Sequence, residues 1–119
     1  MDEELYAFST DVSTMDNIVK KILELAGGLK RNFYVIQTNV ENVSAVVHEG
    51  KRYLLWSQDF LENANRIEKF GSVAHEVGHH INGHVVDIDA FGTKKISLYE
   101  RRLQELESDR FAGFVLSKL

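Results

Sequence analysis

The spacing of apolar residues predicts a helix followed by a small sheet in the first half of the chain. A stripe at helical spacing predicts a first helix over residues 15–26, and its members are Met15, Ile18, Val19, Ile22, Leu23 and Ala26. Three stretches rich in aromatic and β-branched residues, 32–38, 43–48 and 52–57, predict three strands. Gly50 lies between the last two and favours a hairpin turn. We therefore expect an α+β fold with a small, mostly antiparallel three-stranded sheet.

Two further helical stretches follow the predicted sheet. The first begins at Ser57 or Asp59 and extends to about Glu68, with one apolar side. The second begins at Phe70, with a kink expected at Gly71-Ser72.

At the N-terminal end of the chain, residues 5–8 are compatible with a short strand.

The chain is expected to end in a long helix. Residues 84–96 have no helical period and predict a loop. Ser97 and Glu100 form a capping box, so the last helix should begin at Leu98 and run almost to the end.

The helix predicted from Phe70 contains the pattern His-Glu-x-x-His. His75 and His79 are separated by four positions, which places both imidazoles on one helix face, within reach of one metal ion. Glu76 is rotated by about 100° from His75 and should stand beside the metal, where a general base for a metal-bound water belongs. Gly78 costs about 1 kcal/mol in a helix relative to alanine, so we expect another element to pack closely there.

The last helix offers carboxylates at the same spacing. Glu105 and Asp109 are separated by four positions and share one face, whereas Glu107 points away from both. Two histidines from one helix and Glu105 from another would give an open tetrahedral site with a fourth position for water. Asp109 would then accept an N–H from a ligand histidine and fix its tautomer. Without a metal, these carboxylates would form an ordinary solvated helix face.

Composition narrows the choice of metal site and of partner. The chain has 119 residues, of which 44% are hydrophobic and 27% charged, as expected for one globular domain over residues 1–119. It contains no cysteine, so a zinc site must use His, Asp or Glu. The net charge of −4 argues against nucleic acid as a partner. We find no signal peptide and no apolar run of the ~18 residues needed to span a membrane, which favours a cytoplasmic location unless the chain is a fragment.

Together, the two motifs resemble the active sites of gluzincin zinc metallopeptidases, of the HtpX/Ste type or the ImmA/IrrE type. The resemblance covers roughly residues 43–119 and implies a minimal zincin-like fold, in which the sheet packs with the His-Glu-x-x-His helix and the C-terminal helix. It implies one Zn²⁺ per chain on His75, His79 and Glu105, with Glu76 as the catalytic base and a peptide or protein as substrate. Ser108 stands where the HtpX type has alanine.

The expected reaction is peptide-bond hydrolysis by a metal-bound water that Glu76 deprotonates. The candidates for the additional oxyanion donor or substrate contact are His80, Tyr99 and Arg102, and an extended peptide could pair with the sheet edge near residues 43–48. Two alternatives stay open. Zinc could only hold two helices together in an interaction or regulatory module, or the chain could be a binding domain without metal.

Three other histidines are weaker candidates for metal ligands. His80 is one residue out of phase with the ligand pair, so a hydrogen-bonded or substrate-facing role is favoured. His84 is interpreted as a helix-end residue favoured by the helix dipole, and His48 as a surface residue of the hairpin.

Overall fold

The computed structural model describes residues 14–84 and 97–119, which form an α+β fold of four helices and one three-stranded sheet. In chain order the elements are α1 (Met15–Leu25), β1 (Tyr34–Gln37), β2 (Val43–His48), β3 (Lys51–Trp56), α2 (Gln58–Asn63), α3 (Arg66–Ile81) and α4 (Leu98–Ser117). The predicted strand over residues 5–8 and most of the predicted 84–96 loop lie outside the described residues. No helix in the described part of the chain combines the length and the apolarity needed to cross a membrane.

The sheet is mixed, so the expectation of a mostly antiparallel sheet is wrong. β3 lies in the middle, pairing antiparallel with β2 and parallel with β1. The hairpin turn at Glu49-Gly50 places β3 directly beside β2, as predicted. The chain reverses direction twice between β1 and β3, which therefore run the same way, and β1 uses the free side of β3. Among the strands of the described residues, the order β1-β3-β2 leaves β2 at an edge of the sheet.

The break between α2 and α3 falls earlier than expected. α2 ends at Asn63, and Asn65 caps α3 in a capping box with Glu68. The cap oxygen accepts from the Glu68 N–H at 2.9 Å, and the Glu68 carboxylate accepts from the Asn65 N–H at 2.8 Å. α3 therefore begins at Arg66 rather than Phe70 and continues through Gly71, where a kink was expected.

The core lies between α1, the sheet and the buried face of α3. Its fully buried large side chains come from all three, as Ile18, Ile22, Leu54, Phe70, Val73 and Val77 show. Burying an aliphatic or aromatic side chain of this size contributes about 1.5–3 kcal/mol relative to leaving it exposed. α4 packs against α3 and adds Ala112 and Val115 to the core. This packing fixes α3 against both the sheet and α4.

Candidate metal centre

Two helices bring three potential ligand side chains to one point. His75 and His79 project from successive turns of α3, and their Nε2 atoms lie 3.1 Å and 3.2 Å from the same Glu105 Oε2 atom of α4. The ligand atoms of the three residues all lie within 4.8 Å of one another. The i and i+4 spacing therefore places the imidazoles as predicted, and α4 brings the carboxylate to them.

The separations fit a metal ion. Ligand atoms 2.0–2.1 Å from a tetrahedral metal are about 3.3 Å apart, and the two histidine-to-carboxylate distances are close to that value. The two imidazole planes are perpendicular, with ring centroids 4.9 Å apart, so their nitrogens approach the shared point from different directions. The three side chains could thus hold a metal ion with little movement.

Close packing of α3 on α4 sets this geometry. A Cβ atom at Gly78 would lie 3.2 Å from the Ser108 Cα atom and 3.2 Å from the Phe111 Cβ atom. The prediction that another element packs closely at Gly78 is therefore confirmed. Ser108 is fully buried at the contact, where its small side chain admits the neighbouring helix. One turn of α4 earlier, Glu105 faces the histidine pair.

Asp109 lies beside the other nitrogen of His75. Its Oδ1 atom is 2.8 Å from His75 Nδ1, and the Asp109 side chain is largely exposed. When His75 Nδ1–H donates to this carboxylate, the lone pair of Nε2 is left to face Glu105. Asp109 thus stands where a group that fixes the tautomer of a ligand histidine would stand.

Glu76 is half-buried between α3 and the edge strand. Its Oε1 atom accepts a hydrogen bond of 2.8 Å from the Ala45 N–H of β2. Burial raises the pKa of Glu76 above its ordinary value, an effect opposed by the Ala45 N–H and the nearby His75 and reinforced by Glu105. A carboxylate with a raised pKa is better suited to accept a proton near neutral pH.

An open cleft of about 410 Å³ adjoins this carboxylate. Its wall includes His75 and Glu76 on one side and Val43 at the start of β2 on the other, with Ile67, Ser72 and Leu116 farther along. The cleft gives a molecule from solution access to both the histidine and the carboxylate.

The second nitrogen of His79 faces His84, for which the sequence analysis predicted only a position at the helix end. His79 Nδ1 lies 2.9 Å from His84 Nδ1, and His84 Nε2 lies 2.7 Å from Glu107 Oε1. His84 is buried, so it is more than a residue at a helix end. Glu107 does point away from Glu105, as predicted, but towards His84. The local signal in the sequence was Gly83, two residues after the end of α3, because a glycine there favours a turn that reverses the chain.

Burial also affects the ligand pair itself. The pKa of His79 is lowered chiefly by burial, with Glu105 opposing that effect and the neighbouring His75 and His84 adding to it. A lowered pKa favours the neutral imidazole, which is the form that binds metal.

None of the three candidate side chains for an oxyanion donor forms a hydrogen bond or ion pair with the cluster of His75, His79 and Glu105 in the described part of the chain. His80 is fully buried on the other side of α3, where its Nε2 atom lies 2.8 Å from the Tyr53 carbonyl oxygen. Tyr99 and Arg102 are exposed on α4, and among the described residues no hydrogen bond or ion pair joins either to the ligand side chains. His48 is exposed in the hairpin, as expected.

Comparisons with protein family models, curated proteins and solved structures give no match for this chain. The resemblance to gluzincin peptidases therefore depends on its two motifs, and the donor set itself carries the functional argument. That set is two imidazoles and one carboxylate from two packed helices.

Proposed function

We propose that the chain is a zinc-dependent peptidase in which His75, His79 and Glu105 hold one Zn²⁺ and Glu76 is the general base. The observation that carries the proposal is the position of Glu76, half-buried beside the ligand cluster and facing both the edge strand and an open cleft. A purely structural zinc site has no need of such a base. It is usually closed by four protein ligands, whereas three face one another within residues 14–84 and 97–119.

The ligand types support zinc as the metal. Imidazole and carboxylate donors suit Zn²⁺, and His₂Glu with an open position is a known catalytic set. When bound, zinc supplies a Lewis acid and lowers the pKa of a water to about 7.

The residues of the chain would then divide the remaining work. Glu76 takes a proton from the attacking water and transfers it to the leaving amine. Asp109 keeps His75 in the tautomer whose Nε2 lone pair faces the metal position. An extended peptide could add to the edge of β2 that no strand of the described residues covers, which would place its backbone along the strand that contacts Glu76.

The first test is the zinc content of the purified protein after removal of loosely held metal. We expect about one zinc per chain, and at least tenfold weaker binding in Glu105→Gln, which loses the anionic ligand. Glu62→Gln is the matched control, since Glu62 is an exposed carboxylate of α2 whose side chain contacts Gln58. Zinc binding that is equally tight in Glu105→Gln and wild type would contradict the ligand set.

The second test separates a catalytic from a structural metal. Zinc-loaded wild type should cleave labelled, unfolded casein, and Glu76→Gln should bind zinc normally while cleaving roughly 100-fold more slowly or worse. Glu62→Gln should cleave at the wild-type rate. Equal cleavage by Glu76→Gln and wild type would contradict the assignment of the base. Tight zinc binding by a wild type that cleaves no peptide substrate would instead favour a zinc-stabilised interaction module.

A further inference from the structure

A row of hydrogen-bonding side chains extends from the candidate metal ligand His79 through the buried His84 to Glu107. The distances along it are 2.9 Å between the two Nδ1 atoms and 2.7 Å between His84 Nε2 and Glu107 Oε1. The side chains of His79 and His84 are both only 6% exposed, whereas that of Glu107 is 53% exposed. The row therefore connects the inside of the cluster to a carboxylate at the surface.

The end of α3 is built in a way that returns His84 to the last helical turn. Gly83 has a left-handed φ of +70°, a conformation that glycine adopts at little cost. Its N–H donates to the His80 carbonyl at 3.0 Å, and the His84 N–H donates to the His79 carbonyl at 2.9 Å. These two bonds form a Schellman motif, which fixes the chain direction after the helix. His84 is thus held beside His79 by the backbone as well as by its ring.

The proton positions along the row can be assigned by counting donors and acceptors. The Glu107 carboxylate only accepts, so His84 Nε2 carries a proton and donates to it. In a neutral His84, Nδ1 then has a lone pair, and it accepts the Nδ1–H of His79. His79 is left with a bare Nε2, the atom that lies beside Glu105 in the ligand cluster.

We propose that His84 and Glu107 are positioning residues that hold His79 in the tautomer and ring orientation needed to bind the metal. This inference rests on the proposed metal site and extends it to two residues outside the ligand set. In this arrangement α4 supplies both the ligand Glu105 and the final acceptor of the row, Glu107.

The two ligand histidines are then supported differently. His75 donates directly to Asp109, whose side chain is 69% exposed, so water can replace this acceptor when it is removed. His79 has no such access to water, because its side chain is only 6% exposed. Loss of His84 should therefore weaken metal binding more than loss of the Asp109 carboxylate does.

The test is zinc affinity, measured by competition with a chelator. His84→Phe keeps a flat ring without an acceptor, and we expect its zinc affinity to fall 10–100-fold, the usual effect of removing such a partner. Glu107→Leu should also lower the affinity, whereas Glu107→Gln keeps a carbonyl acceptor and should stay close to wild type. Asp109→Ala should lose less affinity than His84→Phe.

A purely structural role is distinguished by the tautomer of His84. Zinc-free Glu107→Leu should be somewhat less stable than Glu107→Gln, because the buried His84 Nε2–H loses its acceptor, so zinc affinities are compared under conditions where both variants are folded. In the zinc-loaded wild type, NMR correlations of the histidine ring nitrogens should show His84 with protonated Nε2 and bare Nδ1. Glu107→Leu should lose this single tautomer, and Glu107→Gln should restore it.

The outcomes distinguish this inference from the proposed function. Wild-type zinc affinity in His84→Phe and in Glu107→Leu, or a His84 protonated on Nδ1 in the neutral zinc-loaded protein, overturns the positioning role alone. A wild-type chain without measurable zinc affinity overturns both proposals. If His84→Phe does not fold, the comparison between Glu107→Leu and Glu107→Gln decides the question at an exposed position.

Discussion

At the scale of single residues, His80 shows how one step along a helix changes the chemistry of a histidine. It follows the candidate ligand His79, yet its ring stacks on Phe33 with centroids 5.0 Å apart and lies on the sheet side of α3. Its Nε2–H donates to the Tyr53 carbonyl, and its Nδ1 atom lies 3.3 Å from an Arg52 guanidinium nitrogen. Burial lowers the pKa of His80 to about 4, so this histidine is a neutral part of the core near neutral pH.

The neutral state of His80 predicts a loss of stability in mild acid. The unfolded chain takes up a proton on this residue near pH 6.5, whereas the folded chain does so only near pH 4. The free energy of unfolding of the zinc-free protein should therefore fall as the pH is lowered through this range, by roughly 3 kcal/mol from His80 alone. Urea unfolding at several pH values between 7.5 and 4 measures this fall.

The control for this prediction is His80→Phe, which keeps the stacking but cannot titrate. It should be less stable than wild type at pH 7.5, because the Tyr53 carbonyl loses its donor, and the gap should narrow as the pH decreases. His48→Phe, at an exposed position, should retain the pH dependence of the wild type. Stability curves of wild type and His80→Phe that remain parallel from pH 7.5 to 4 would refute the assignment.

At the scale of elements, the approach of α4 to α3 determines where Glu105 stands. At Gly78, a Cβ atom would lie only 3.2 Å from the Ser108 Cα atom of α4. A backbone atom within a helix cannot rotate away as a flexible side chain can. The spacing of the two helices is therefore set by the absence of a side chain at Gly78.

We expect Gly78→Ala to destabilise the protein although alanine is the better helix former. Overpacking commonly costs about 1–3 kcal/mol, which outweighs a gain in helix propensity of about 1 kcal/mol. Displacement of α4 should also weaken zinc binding, because Glu105 would move from the histidines. Thermal unfolding and chelator competition measure the two effects.

Gly113→Ala is the matched control on α4. A Cβ atom at Gly113 meets no described atom within 4 Å, so this substitution should stabilise the helix by about 0.5–1 kcal/mol and leave zinc affinity unchanged. Equal effects of the two glycine substitutions would show that packing at Gly78 does not control the site.

At the scale of the whole molecule, the side-chain faces that depend on local helix geometry were predicted correctly, whereas the long-range pairing of the strands was not. The spacing of four residues placed His75 with His79 and Glu105 with Asp109, because helix geometry alone determines which side chains share a face. The parallel pairing of β1 with β3 depends on which side of β3 is free, and no local pattern records that. The Asn65-x-x-Glu68 cap was a local signal that the interpretation passed over.

The contacts of His84 show a second kind of feature that the sequence alone does not predict. Gly83 after the last helical residue predicts a turn, but the partner of His84 depends on where α4 docks. The same holds for Glu105. The motif indicated this residue as a ligand, but the packing of α3 on α4 brings it to the histidines. The spacing of residues can identify candidate side chains, but which of them make contact across elements is determined by the tertiary structure.

A metal that joins α3 to α4 should stabilise the whole fold. In the proposed site, zinc would bind the folded chain through ligands from both helices, and the unfolded chain could not hold those ligands together. Excess zinc should therefore raise the free energy of unfolding, by about 4 kcal/mol when free zinc is 1,000 times its dissociation constant. Urea unfolding of the zinc-free protein at increasing zinc concentration measures this dependence, and Glu62→Gln should match the wild type.

Glu105→Gln makes the same experiment specific to the contact between the helices. Without the anionic ligand of α4, zinc retains the two histidines of α3, which are adjacent in the helix whether or not α4 is docked. The stabilisation by zinc should then fall to a small fraction of its wild-type value. An undiminished stabilisation in Glu105→Gln would place the metal on α3 alone and would remove α4 from the site, because only a ligand set that spans both helices couples metal binding to their docking.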